Sequence, residues 1–431
     1  MSALTIEYPE DAEDVAPSER RREATASFRP GVGGWVARGV VGALVAAVVL
    51  LYPLSVPGFR AGEFTTGVIF AIIGLSLNVL IGYTGQISLG HQAFVGVGAF
   101  TSAYVVTVQG QNFAIGVLAA AAVCGLQALI LGGVSLRIRG LYFALVTLAY
   151  GTLAEDSIFN IQTLTGGGAG QPAPRPTGFV SNHRFYYLCL AFLGLVLWVD
   201  WRMMRTKGGR ALLALRENPR VAAAYGVNVR LFTLFAFVVS GVFAGIGGAL
   251  FAHQTTFVVN VVFNFQLALV FIIMTVVGGL RSRSGVVIGS ALFALLPPLI
   301  KMLRLERPLK RMDLTIPVIV LAAAAIATLV ALRKRTRGAA LWAPAAIAAI
   351  SLLVLLPGRV PFLEARLHDV PPLTPELAPL VVGPLLLLLT LTQFPGGVGQ
   401  QIRPITQWLR GRRFDIHDRG ARDVVVTDVR A

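Results

Sequence analysis

Runs of about 20 apolar residues recur along this chain, and they leave few alternatives for its fold, because roughly 20 helical residues are needed to cross a bilayer. Hydrophobic residues make up 55% of the 431 residues and charged residues only 13%. Lipid offers no hydrogen-bond partners, so spans of this length are helices rather than barrel strands. The sequence therefore predicts an all-α integral membrane protein, a polytopic bundle of about 10–12 transmembrane helices, some of them broken or short.

Length and hydropathy together place the individual spans. Using a length near 20 residues as the criterion, we assign apolar helices at roughly 37–56, 64–82, 91–108, 114–136, 141–159, 185–201, 231–252, 262–280, 285–303, 315–332, 340–357 and 377–394. The polar segment 1–36 is predicted to be a disordered cytosolic tail, and residues 401–431 a cytosolic C-terminal tail.

The formal net charge of +16 reflects arginines in the connections between spans, which is the usual orientation signal of a membrane protein and gives no support to nucleic-acid binding. Placing both termini in the cytosol puts most of these arginines inside, including those of the long loop 202–230. The basic stretch 301–311 is the exception, since this topology places it outside. Either that loop has a local function or a neighbouring helix is re-entrant.

Several kinds of chemistry are missing from the sequence. No carboxylate lies in the middle of a predicted span, which argues against a proton relay, although His91 and His253 are open both to proton transfer and to simple hydrogen bonding. Cys124 and Cys189 lie in apolar runs, which argues against a disulfide or a metal site. No phosphate-binding loop or hydrolase motif occurs. We therefore expect no enzyme activity, no metal and no cofactor bound by this chain.

The segment GYTGQISLGHQAF (82–94) places three glycines and several polar residues between two spans. Glycine weakens a helix, and non-helical backbone at membrane depth is tolerated where it lines a cavity. We interpret the segment as a broken helix that lines a substrate path; a plain turn in the cytosol is the alternative. The candidate lining residues are Asn78, Gly82, Tyr83, Gly85, Gln86, Ser88, Gly90, His91 and Phe94.

The stretch GLSLNVLIGYTGQISLGHQAFVGVGAF (74–100) resembles the membrane-spanning permease subunits of ABC importers for branched-chain and other hydrophobic amino acids. Four further stretches are similar to motifs of that family, and they follow in the order that the family shows. They are RIRGLYFALVTLAYGTL at 137–153, TLTGGGAGQP at 163–172, the segment 210–252 and the segment 276–297. Permeases for urea and short amides are close relatives.

The resemblance implies a membrane-spanning permease subunit in a bacterial cytoplasmic membrane. Its expected partners are a second permease subunit, two cytosolic ATPases that use ATP and Mg, and an extracytoplasmic substrate-binding protein. A urea or short-amide importer permease and a stand-alone carrier or channel are the alternatives. The resemblance also implies a helix that docks on the ATPase, for which an ordinary amphipathic loop helix is the alternative. Its residues are Arg216, Glu217, Asn218, Pro219, Ala222, Ala223, Ala224 and Gly226.

The same resemblance predicts how the chain is divided into a core, an insertion and a final helix. Residues 37–300 are expected to form the permease core and 377–400 its final transmembrane helix. Residues 301–376 are predicted to be an insertion with an extra transmembrane hairpin, either a docking surface or a neutral acquisition. Small residues four apart let helices approach closely. On this basis we predict helix packing at Gly241, Gly245, Gly285 and Gly289.

Overall fold

The computed structural model describes residues 49–51, 58–138, 140–303, 397 and 399. Residues 49–51 are helical and belong to one compact unit, and all other described residues belong to a second unit, which is the one presented below. Both predicted tails, the insertion beyond residue 303 and the predicted span 377–394 lie outside the described residues.

Helices dominate the second unit. Its α-helices are α1 Gly58–Leu77, α2 His91–Thr107, α3 Phe113–Ser135, α4 Leu141–Asp156, α5 Gln162–Thr165, α6 Asn182–Arg205, α7 Lys207–Glu217, α8 Pro219–Ala224, α9 Val229–Thr255, α10 Phe265–Gly278 and α11 Arg283–Leu303. A π-helix, Asn78–Thr84, follows α1 directly, and short 3₁₀ turns occupy Ile158–Asn160, Gly167–Ala169 and Asn260–Val262. Strands β1 Gln171–Pro172 and β2 Phe257–Val258 pair antiparallel.

The prediction of an all-α polytopic membrane protein is confirmed. Within the described ranges, four helices are long and apolar enough to cross a bilayer, namely Ala61–Thr84, Phe113–Ser135, Asn182–Arg205 and Val229–Thr255. Others are shorter than the predicted spans. Helix α2 has 17 residues, α4 has 16 and α10 has 14. The expectation of short and broken helices holds for these three.

Helix α9 lies at the centre of the bundle and packs on α1, α2 and α3. Glycines make these close approaches possible. A β-carbon at Gly98 of α2 would lie 2.7 Å from the Cα of Gly245, and one at Gly245 would lie 2.6 Å from the carbonyl oxygen of Ala120 on α3. Gly241 similarly faces Cys124 and the methyl group of Ala128. The core of the bundle therefore depends on backbone surfaces in direct contact.

Connections between the helices define two ends of the bundle. At the loop end, formed by residues 157–181 and 256–264, the β1–β2 pair joins the two connections. Arg175 holds the same end together, since its guanidinium donates to the carbonyl oxygens of His253 and Gln254 at 3.2 and 3.0 Å. The basic end is formed by residues 136–138, 140, 206–228 and 279–282, where Glu217 and Arg281 pair at 3.3 Å.

Gly285 and Gly289 lie where α11 crosses the end of α10. A β-carbon at Gly285 would lie 2.6 Å from the Cα of Gly399, and one at Gly289 would lie 2.8 Å from the carbonyl oxygen of Met274. The packing role of these glycines stays a prediction, and Gly245 is the most direct place to test it.

We expect Gly245→Leu to lower the thermal midpoint of the purified protein in detergent, because a side chain there must displace the backbone of α3; overpacking of this kind costs about 1–3 kcal/mol or more. Gly133→Leu is the matched control, since a β-carbon at Gly133 of α3 meets nothing within 4 Å. Equal midpoints for the two variants in a fluorescence-detected unfolding experiment would contradict the packing role.

Candidate substrate path and coupling site

The helix that begins at α1 is broken at the predicted glycines. Its last turns widen into the π-helix Asn78–Thr84, and Gly85 ends it in the left-handed region at φ 73°. Residues 85–90 are not helical, and α2 begins at His91. Leu80 provides the closing carbonyl oxygen, which accepts from the backbone N–H groups of Gly85 and Gln86. A side chain at Gly85 would strain this backbone, since left-handed φ favours glycine.

The break extends from the basic end to the middle of the bundle. A β-carbon at Gly85 would lie 3.5 Å from Cγ of Arg216, in the long basic connection. At the other end of the break, Nε2 of His91 lies 2.8 Å from Oγ of Ser76, which also donates to the carbonyl oxygen of Ser240. Ser240 lies about 17 Å from the start of the 27-residue α9, at 1.5 Å per residue. The segment thus combines a turn at the basic end with a helix start deep in the bundle.

The first half of the break is held by residues of the basic end. The backbone N–H of Arg281 donates to Oδ1 of Asn78 at 2.8 Å. Nη1 of Arg216 donates to the carbonyl oxygen of Gly82 and, at 3.4 Å, to that of Ile81. Burial, followed by repulsion from Arg281, lowers the pKa of Arg216 from its usual range. These carbonyl oxygens and Asn78 Oδ1 are bound by other parts of the protein, whereas Nδ2 of Asn78 has no partner among the described residues.

A buried ion pair, whose residues are not among the predicted site residues, adjoins the same turn. Oδ2 of Asp200, on the fully buried side chain of a residue near the end of α6, accepts from the Tyr83 hydroxyl at 3.1 Å. Nε of Arg283 donates to the same carboxylate oxygen, and its Nη2 lies 3.4 Å from the backbone oxygen of Asp200. One signal was available: Asp200 is a single acid inside the apolar stretch LVLWVDW.

The second half of the break is buried among helices. Ser88, Gly90, His91 and Phe94 are all buried, and the backbone N–H of Leu89 donates to Oγ1 of Thr147 on α4 at 3.0 Å. The Phe94 ring lies 5.6 Å from the His91 ring and 6.3 Å from the Tyr150 ring, centroid to centroid. Gln92, which was not among the predicted lining residues, is also fully buried here.

The predicted coupling segment forms the end of α7 and the short helix α8. Asn218 caps α8 by accepting from the backbone N–H groups of Arg220 and Val221, and Pro219 takes the first helical position. Gly226 follows with φ 80°. Ala222 is buried, whereas Ala223 and Ala224 are exposed, and Tyr225 beside them is 85% exposed. The helix therefore offers a small apolar surface away from the bundle.

A cavity of about 130 Å³ lies between this segment and the break. It is lined by Thr84, Gly85, Gln86, Ser135, Leu136, Leu215, Arg216, Pro219, Val229 and Thr233. The predicted path residues Gly85 and Gln86 thus share a cavity with the predicted coupling residues Arg216 and Pro219. The structure brings the two predicted sites together at the basic end.

Comparison with known proteins places this architecture in a family context. Residues 60–325 match the family model described as "Branched-chain amino acid transport system / permease component". The chain is 33% identical over 284 residues to the high-affinity branched-chain amino acid transport system permease protein LivM of Escherichia coli (strain K12), which covers 58% of this chain and 66% of that relative. No solved structure gave a significant match.

More distant similarities widen the range of relatives. A probable branched-chain amino acid transport permease protein LivH of Methanocaldococcus jannaschii is 27% identical over 249 residues, 57% of this chain and 72% of that protein. The galactose/methyl galactoside import permease protein MglC of Escherichia coli (strain K12) is 36% identical over 113 residues, 25% of this chain and 33% of that protein. The match to LivM spans slightly less than two thirds of that relative.

The two arginine–carboxylate pairs at the basic end allow a matched comparison. We expect Asp200→Ala to lower the free energy of unfolding by about 3–5 kcal/mol, because it leaves the Arg283 charge without its buried partner. Glu217→Ala opens a pair whose side chains are 69% and 45% exposed and should cost less than about 1 kcal/mol. Denaturant titration in detergent measures both values, and similar losses in the two variants would contradict this assignment.

Proposed function

Because this chain belongs to the family of permease components of branched-chain amino acid transport systems, we propose that it is the membrane-spanning permease subunit of an ATP-driven importer for branched-chain or other hydrophobic amino acids. In this proposal a second permease subunit, two cytosolic ATPases that use ATP and Mg, and an extracytoplasmic binding protein complete the transporter. The chain itself is a multi-pass membrane protein, and the proposed location is a bacterial cytoplasmic membrane with the basic end inside.

One contact carries the proposal. The guanidinium of Arg216, in the proposed coupling segment, donates to the backbone oxygens of Ile81 and Gly82 in the proposed substrate path. A movement of the coupling segment therefore pulls directly on the broken helix, with no intervening side chain. Glu217 adds a second link, through its pair with Arg281, whose backbone N–H binds Asn78. This connection is what an ATPase needs in order to open and close a path it does not touch.

The surface of α8 supports the proposed ATPase contact. Val221 and Ala223 are exposed on this helix of six residues, and Tyr225, which directly follows it, is exposed as well. Small residues let a short helix lie in a groove of a partner. Arginines of the same connection favour the side of the membrane where the ATPases would bind. The substrate path then begins at the loop end, passes the buried half of the break and leaves at the basic end.

The direct test is uptake by the reconstituted complex. We expect proteoliposomes that contain this chain, its partner permease, the ATPases and the binding protein to accumulate leucine with ATP. Arg216→Ala should abolish most of this uptake while the ATPases still co-purify, because the docking surface is intact and its link to the path is lost. Arg210→Ala, an exposed arginine on the same helix, is the control. Uptake by this chain without the ATPases and ATP would identify a stand-alone carrier instead.

Docking is tested separately. We expect Ala223→Arg to abolish co-purification of the ATPases, since a long charged side chain cannot enter a groove shaped for a methyl group. Val261→Arg places the same side chain at an exposed apolar residue of the loop end and should leave co-purification unchanged. Retention of the ATPases by Ala223→Arg would overturn the assignment of the coupling helix.

A further inference from the structure

The first turn of α2 is buried and lacks a cap. Gly90 precedes the helix and provides no side chain to bind its free N–H groups. The N–H of Ala93 bonds to the oxygen of Gly90, but the N–H groups of His91 and Gln92 make no hydrogen bond to the described residues. Helix ends that are buried normally have such partners. The positive end of a helix dipole is a favourable place for an anion.

Two polar side chains beside this helix start also lack partners. Both amide atoms of the fully buried Gln92 and the hydroxyl of the buried Ser88 have no hydrogen-bond partner among the described residues. The amide lies next to the uncapped turn, because a β-carbon at Gly151 would meet Nε2 of Gln92 at 2.5 Å and Cα of Gly90 at 2.9 Å. Unpartnered groups in an apolar interior are unfavourable, and their concentration in one place calls for a functional explanation.

His91, the first residue of α2, provides an acceptor. Ser240 donates its hydroxyl hydrogen to the backbone oxygen of Ser76 at 2.9 Å, and Ser76 donates its own to the backbone oxygen of Ser240 at 2.7 Å. With its hydrogen used, the Ser76 hydroxyl can only accept from Nε2 of His91, 2.8 Å away. Nδ1 of the neutral ring is then a bare acceptor, and it has no partner among the residues that the structure describes.

We propose that the start of α2 is a binding site for the α-carboxylate and α-ammonium groups of an amino acid within the membrane. The N–H groups of His91 and Gln92, together with the hydroxyl of Ser88, donate to the carboxylate. Nδ1 of His91 and Oε1 of Gln92 accept from the ammonium. The neighbouring rings of Phe94 and Tyr150 provide an apolar surface for the substrate side chain. This inference rests on the proposed function and assigns its substrate contacts.

The distribution of donors and acceptors favours a zwitterion over urea or a short amide. A helix N-terminus favours an anionic group, and urea carries none. A zwitterion satisfies both the donors of the helix start and the bare nitrogen of His91. Both groups are common to all α-amino acids, so this site recognises the class, and the apolar surface beside it selects among side chains.

The discriminating variant is Gln92→Met, which keeps the length of the side chain and removes its unpartnered amide. We expect leucine uptake at sub-saturating concentration to fall roughly tenfold, since a hydrogen bond to a charged group is worth about one tenfold step in binding. The thermal midpoint should stay equal or rise, because an unsatisfied buried group is lost. Ser88→Ala should act in the same direction. Gln109→Met changes an exposed glutamine and serves as the control.

Ligand-induced thermal shifts test the site without transport. They are measured on the detergent-purified complex of the permease subunits and the ATPases, without the binding protein, which would itself respond to leucine. Leucine should raise the midpoint of the wild type but not of Gln92→Met, and 4-methylpentanoate, isopentylamine and urea should give smaller shifts. A wild type without a leucine shift, a larger shift with urea, or a Gln92→Met variant that loses both uptake and midpoint would overturn the inference. A wild type that shifts with leucine but shows no ATP-dependent uptake would instead refute the proposed function alone.

Discussion

The arrangement of the basic end depends on how the backbone carbonyl groups at the end of the π-helix are hydrogen-bonded. The residues at the end of the π-helix are buried, so their carbonyl oxygens need hydrogen-bond partners within the protein. The carbonyl oxygen of Leu80 accepts hydrogen bonds from Thr84, Gly85 and Gln86. The carbonyl oxygens of Ile81 and Gly82 accept from the guanidinium of Arg216. The break is therefore stable only while the basic connection stays against it, and this dependence makes the connection suitable for controlling the break.

A buried ion pair next to the turn also holds this arrangement in place. Asp200 is fully buried beside Tyr83, and Arg283 compensates it. Such a pair adds little net stability compared with apolar packing, yet losing either partner is strongly unfavourable. It therefore fixes the position of α6 relative to the turn and to α11. The exposed pair of Glu217 and Arg281, by contrast, can open at small cost. The Asp200–Arg283 pair is thus more costly to open than the pair next to the proposed coupling segment.

Sequence reasoning identified the helices and the break, because apolar length and glycine punctuation are local signals. It placed the break between two full spans and left open whether it lies in water or in the membrane. The answer depends on the partners of its two halves, Arg216 at one end and Ser240 at the other, and these are more than 130 residues away in sequence. Gln92 was missed for the same reason, since burial by distant helices, and not residue type, makes it unusual. Asp200 is recognisable as a single acid in an apolar stretch, but its partner Arg283 is 83 residues away in sequence.

The two halves of the break differ in how many of their polar atoms have hydrogen-bond partners. This difference indicates a direction for the proposed path. At the basic end Asn78 Oδ1, Gly82 and Tyr83 have protein partners, although Asn78 Nδ2 and Asp200 Oδ1 have none among the described residues. In the middle of the bundle four side-chain atoms, of Ser88, His91 and Gln92, have no partner within the part of the chain that the structure describes. A ligand gains most where the protein leaves groups unsatisfied, because elsewhere it must displace existing bonds. Under the proposed function, a substrate arriving from the loop end would therefore be held first at the start of α2. Its release toward the basic end would require a movement of Arg216 that frees the carbonyl groups of the turn.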